Sequence, residues 1–300
     1  MAKTADRYPA EALVVWALVA LVAAAVFESY MRLPAAQLYH VSGSGLEGGL
    51  SRSLVLLNFP FALVAIALAG VAASVRVNRA STLIAVLAVA LAATVAWPGI
   101  VDQSDLDARP INVVPAAGVA IAFALSVASA RRLRVRFTGR LAFDELRFAL
   151  ASVFIAVSLP VLFADVGFSI SRIPLLGRVF LGDQVRSTGA GETLEAVHLG
   201  HHHGADGLYL ALAALLLSRV LPYLRRYRDA VSAYLALMLS YGIANATQDF
   251  WLEQVVKRGW TSHALPSLLH PALSLGWAVI VAVAVVIELG WFRRERRLAF

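Results

Sequence analysis

Four of the seven histidines in this 300-residue chain fall in one stretch, EAVHLGHHHGADG, residues 195–207. The same stretch carries Glu195 and Asp206, with Glu192 just before it. Imidazole and carboxylate together make a nitrogen and oxygen donor set, which suits zinc, iron or copper(II). Successive residues of a helix turn by about 100°. Glu195, His198, His202 and Asp206 are spaced 3, 4 and 4 residues apart, so a helix running through them places all of them on one face. Two imidazoles one turn apart grip a metal from a single helix, as in the zinc-protease helix. A neighbouring carboxylate completes the shell or orients an imidazole. The spacing therefore predicts His198 and His202 as ligands of a divalent transition metal. Gly200, Gly204 and Gly207 oppose the helix, at roughly 1 kcal/mol each.

One helix supplies only part of a metal shell, so a second segment must contribute. His40, His263, His270, Asp165 and Asp249 are the candidates, and His263 and Asp249 are favoured because both belong to the adjacent connection. Glu195, Asp206 and Asp165 are candidate acids or bases beside water or oxygen activated by the metal. The competing reading is a solvated histidine-rich loop or a proton-linked switch.

The string HLGHH, residues 198–202, resembles one histidine box of the membrane fatty-acid desaturases and hydroxylases. That resemblance implies a diiron site built from several boxes and facing the cytoplasm. This chain has no second HxxHH, and its cluster falls on the outer side of the topology derived below, so the family is not assigned. Glu195 and His198 also match the ExxH of diiron carboxylate bundles, again without a second copy.

The elements that must position these residues are membrane helices. Hydrophobic residues make up 60% of the chain and charged ones 15%, against roughly half and a quarter in soluble domains. The apolar residues lie in runs of about 20, the length that crosses a bilayer core of about 30 Å. The expectation is an all-α, polytopic membrane bundle forming a single domain over residues 1–300. Eight spans are expected, near 11–33, 53–75, 81–100, 111–130, 146–166, 205–223, 230–249 and 267–291. A cleaved signal peptide competes for the first, and seven or nine spans compete for the count, with part of 170–182 dipping into the membrane. Cysteine is absent, which excludes disulfides and thiolate ligands. The net charge of +7 comes from arginines at the ends of apolar runs, which fits orientation in a bilayer better than nucleic acid.

Those arginines orient the chain. Arg76 and Arg79, RRLRVRFTGR at 131–140, RRYR at 225–228 and RRERR at 293–297 occupy alternate connections. Lys3 and Arg7 share their side, which places both termini in the cytoplasm. Every histidine then falls on the outer side. Asn58, Asn112, Asp165, Asn245, Gln248 and Asp249 crowd the same depth, and Pro60 and Pro160 interrupt their segments there. A shared polar cavity opening outward is expected, since ionisable groups in spans usually face a cavity or partner. DFWLEQVVKRGW, 249–260, is expected to lie on the outer membrane surface.

The functional expectation is a metal-dependent membrane enzyme acting on a hydrophobic or lipid-like substrate at the outer face. A transporter or metal-handling protein, and a non-catalytic subunit or sensor, are the alternatives. The sparse polar lining of the inner halves counts against transport.

Overall fold

A computed structural model describes residues 7–32, 34, 41–76, 78–100, 102, 107–165, 173–174, 181–187, 193–197 and 204–298. The side chains of 57, 161–162, 164–165, 182–187 and 194–197 lie outside that description. Helices occur at all eight expected positions: α1 (Ala10–Arg32), α2 (Gly45–Leu57) with α3 (Pro60–Val75), α4 (Arg79–Ala93), α5 (Val113–Arg132), α6 (Asp144–Asp165), α7 (Gly204–Ser218), α8 (Arg228–Trp251) and α9 (Leu275–Ile287). A π-helical turn, Glu288–Phe292, carries α9 on into α10 (Arg293–Leu298). Among the described residues five helices are long and apolar enough to cross a membrane, and six if the bent α2–α3 pair is one span.

Local chemistry starts several of these helices. The Asn78 side chain accepts from the Ser81 backbone N–H at 2.8 Å to cap α4. Ser274 caps α9 in the same way. Asp144 and Glu145 open α6, and Arg131 and Arg132 close α5, each complementing the helix dipole. Pro60 occupies the first turn of α3 and not the middle of a helix. Its missing N–H is harmless at that position, and the pair bends by 48° there.

α3 and α7 form the centre. Phe61, Val64, Leu68, Val71, Leu210, Leu215 and Leu217 on them are all buried. α7 has 15 residues, about 22 Å at 1.5 Å per residue, shorter than a bilayer core. A helix surrounded by protein need not match that thickness. The outer helices instead expose large apolar side chains, among them Leu21, Leu83, Val86, Phe148, Val153 and Val286. Soluble monomers rarely expose so much apolar surface.

Apolar side chains gain little from meeting each other inside lipid, so close backbone contact at small residues must hold the helices together. α7 and α8 meet at Gly207 and Gly242. A Cβ added to either would lie 2.6 Å from the other's carbonyl oxygen. A Cβ on Gly118 of α5 would lie 2.4 Å from the Ala92 nitrogen of α4.

The fold is helical with little strand, as an all-α bundle requires. Among the described residues two short pairs stand beside the helices: β1 (Arg7–Pro9) pairs in parallel with β2 (Arg134–Arg136), and β3 (Leu181–Ser187) pairs antiparallel with β4 (Thr193–Val197). The 249–260 stretch begins as part of α8. α8 continues through Leu252–Val256 as one element spanning Arg228–Val256, 29 residues. The first segment packs Val15, Trp16 and Val19 into the core.

Candidate functional site

The helix expected to run from Glu195 to Asp206 does not exist. Thr193–Val197 is a strand, and the described part of α7 runs from Gly204. The physical reason lies in the residues. Thr193 and Val197 are β-branched and favour a strand paired with 181–187. Glu195 and Asp206 therefore belong to different elements and share no helical face. His198 and His202, with His40, His201, His203 and Glu192, lie outside the described residues, as do the side chains of Glu195 and Asp165.

What the structure does bring together is the start of α7 and the end of α8. The helices run antiparallel, and Gly204 packs directly on Asp249: an added Cβ at Gly204 would stand 2.6 Å from Asp249 Oδ2. Only glycine permits that approach. Asp249 is buried at 4% exposure, and its Oδ2 has no hydrogen-bond partner among the described residues. Asn245 lies one turn earlier on the same face. Its Nδ2 donates to the Tyr241 carbonyl at 2.9 Å, while its Oδ1 has no described partner. The buried Tyr209 hydroxyl of α7 is in the same condition. Unsatisfied buried groups cost about 1–3 kcal/mol each, so several at one helix seam require an explanation. Asp206 sits within electrostatic reach of Arg52 and of Asp249, which also senses Glu253 and Lys257.

His263 stands on exposed coil after α8. Its backbone oxygen accepts from Trp251 Nε1 at 2.8 Å and its N–H donates to Thr261 Oγ1 at 3.1 Å. Among the described residues no three histidine or carboxylate side chains converge as a metal shell. Of the sequence candidates, Asp206 and Asp249 are therefore brought together, and His263 is not joined to them by any described side-chain contact.

Two of the residues expected to face a polar cavity bond to each other. Asn112 Nδ2 donates to Asn58 Oδ1 at 3.2 Å and to the Ile100 carbonyl at 3.1 Å, and Asn58 Nδ2 donates to the Leu54 carbonyl at 2.7 Å. These amides bind the end of α2 to the start of α5. Two apolar cavities lie along α8. One of about 160 Å³ is walled by Phe59, Leu63, Tyr241, His270 and Trp277, and one of about 410 Å³ by Ile66, Gly70, Ala85, Val89 and Val231. Tyr234 stands in both walls, donating to the Leu63 carbonyl at 2.7 Å. Together they follow α8 along its α3–α4 side.

The arginine end holds a buried ion-pair network that the sequence reading missed. Arg147 makes a two-pronged contact with Glu295, donates to Ser218 Oγ at 2.8 Å and stacks 5.2 Å from the Trp291 ring centre. Arg219 reaches Asp144 at 2.6 Å and Glu11 at 3.5 Å. Arg296 reaches Asp229 at 2.7 Å and Glu288 at 2.6 Å. Five helices are tied at one level by these pairs. The available signal was the acids set among arginines: Glu11 at the basic start, Glu288 inside an apolar run and Glu295 within RRERR. Burial pushes the nearby Tyr8 phenol up to about 12, so it stays neutral.

No family model, curated protein or solved structure matches this chain.

Proposed function

We propose that this is a multi-pass membrane protein of eight spans with cytoplasmic termini. At its outer end it holds a divalent transition metal between Asp249 and the histidine stretch that precedes α7. The observation carrying the proposal is the Asp249 carboxylate. It is buried, has an oxygen without a described partner, and is pressed against the first residue after His201-His202-His203. A buried carboxylate in that state wants a cation. Asp249 with His198 and His202 would form the donor set, which suits zinc, iron or copper(II). When bound, such a metal supplies Lewis acidity for activating water or oxygen. Asp206, two residues after Gly204 and within electrostatic reach of Arg52, would accept or return a proton, with Glu195 and Asp165 as the remaining candidate acids. The apolar cavities along α8 would receive a hydrophobic or lipid-like substrate.

The test is elemental analysis of purified protein, comparing the parent with Asp249→Asn, with the His198→Ala/His202→Ala pair and with His270→Ala as control. The expected result is one class of bound metal in the parent and the control, and its loss in the other two. Unchanged metal content in both variants, or no metal in the parent, refutes the site.

A second reading, a transporter or metal-handling carrier, draws on the 48° break between α2 and α3. Broken helices are where many carriers hold their cargo. Transport of the bound metal into proteoliposomes, abolished by Asp249→Asn, would favour it over catalysis.

A further inference from the structure

The arginine end has a feature that its ion pairs leave unused. Arg7, Arg136 and Arg225 surround a cavity of about 90 Å³ with Thr138 and Tyr223 in its wall. That is several times the ~10–15 Å³ a single water needs, and it admits a group the size of a phosphate. Among the described residues the acids of this end are already engaged: Glu11 and Asp144 by Arg219, Glu145 by Arg140, Glu295 by Arg147, and Asp229 and Glu288 by Arg296. Among the described residues Arg7, Arg136 and Arg225 have no acidic partner, and all three are exposed.

The strand pairing sharpens the point. In the parallel pair, Arg7 lies opposite Arg134 and Pro9 opposite Arg136. Alternation along the strands places these arginines on one face and buried Tyr8 on the other. Like charges directly opposed destabilise a strand pair. A three-residue pair has little backbone bonding with which to offset that, and a counter-charge held at Arg7 would relieve it, with Arg134 itself outside the cavity wall. Arginine's planar fork matches phosphate oxygens in a two-pronged contact.

We propose that this cavity binds a phosphate-bearing anion, held by Arg7, Arg136 and Arg225 with the Thr138 hydroxyl. The same chemistry is offered by the headgroup of an anionic lipid and by a soluble phosphate compound. Native mass spectrometry of the full chain with added phosphatidylglycerol or phosphatidylcholine, alongside thermal shifts in inorganic phosphate, separates the two. For the lipid source, the parent retains phosphatidylglycerol over phosphatidylcholine. The R7Q/R136Q/R225Q variant loses that preference about tenfold or more. The R131Q/R132Q control, which removes two exposed arginines of the same side outside the cavity, keeps it. For the soluble source, inorganic phosphate raises the melting temperature of the parent and not of the triple variant. Equal loss in the triple variant and the control is the result for a diffuse basic surface and overturns the proposal. So does binding unchanged in both arms. Should the triple variant fail to fold, Arg225→Gln alone, which alters neither strand, decides: binding at the parental level overturns the site.

Discussion

Replacing Gly242 by alanine tests the seam on which the candidate site depends. The added Cβ would sit 2.6 Å from the Gly207 oxygen and 2.9 Å from the Ala211 nitrogen, where ordinary contact starts at 3.4 Å. The shortfall, about 0.8 Å, falls on backbone atoms that cannot rotate away. α7 and α8 must therefore separate. A gap of ~0.5–1 Å already forfeits a quarter to a half of each dispersion contact along the seam. Overpacking of this kind costs about 1–3 kcal/mol, and backbone obstruction places Gly242→Ala at the upper end. Alanine's better helix propensity returns up to ~1 kcal/mol. The expected net loss is about 1–2 kcal/mol, read by reversible unfolding of the full chain in bicelles. Gly207→Ala strains the same seam from the other side, so the double variant should lose less than the sum of the two. Gly290→Ala is the control, because its Cβ would meet nothing within 4 Å. Separation also draws Asp249 away from Gly204, so bound metal should fall with stability. Gly242→Ala as stable as Gly290→Ala refutes the close approach and the site geometry built on it.

At the arginine end, Arg147→Met or Glu295→Gln alone strands a buried charge or buried donors and should cost about 3–5 kcal/mol, while the Arg147→Met/Glu295→Met pair should recover most of it. Single variants that unfold like the parent would contradict the network. Asn58→Ala and Asn112→Ala should each cost about 1–2 kcal/mol with positive coupling and leave metal content untouched. Loss of metal on either would show that these amides line the site after all. Single cysteines replacing Ser44 and Arg136 should label from opposite sides of the membrane, Ser44 from outside. Labelling of the Arg136 position from outside overturns the orientation.

Helix positions were legible in the sequence because span length, apolar composition and flanking arginines are properties of contiguous residues, and lipid leaves a long apolar segment little choice but a helix. The strand at 193–197 was not legible. Helical spacing of Glu195, His198, His202 and Asp206 is also compatible with a strand through its first residue, and pairing with 181–187, absent from any local window, decides for the strand at 193–197. Asn58 illustrates a second limit. Its Oδ1 accepts from Asn112, 54 residues away, a partner that no local window contains. The Arg147–Glu295 contact joins residues 148 apart, so RRERR could be read only as a basic flank. Gly204 shows the limit most sharply. In sequence it weakens a helix, and in the folded bundle it is the missing side chain that lets Asp249 approach the start of α7. Periodicity and composition determine which segments enter the membrane. Which buried polar groups meet there is decided by the packing of helices distant in sequence, because a carboxylate's partner is set by angstroms between backbones and not by spacing along one of them.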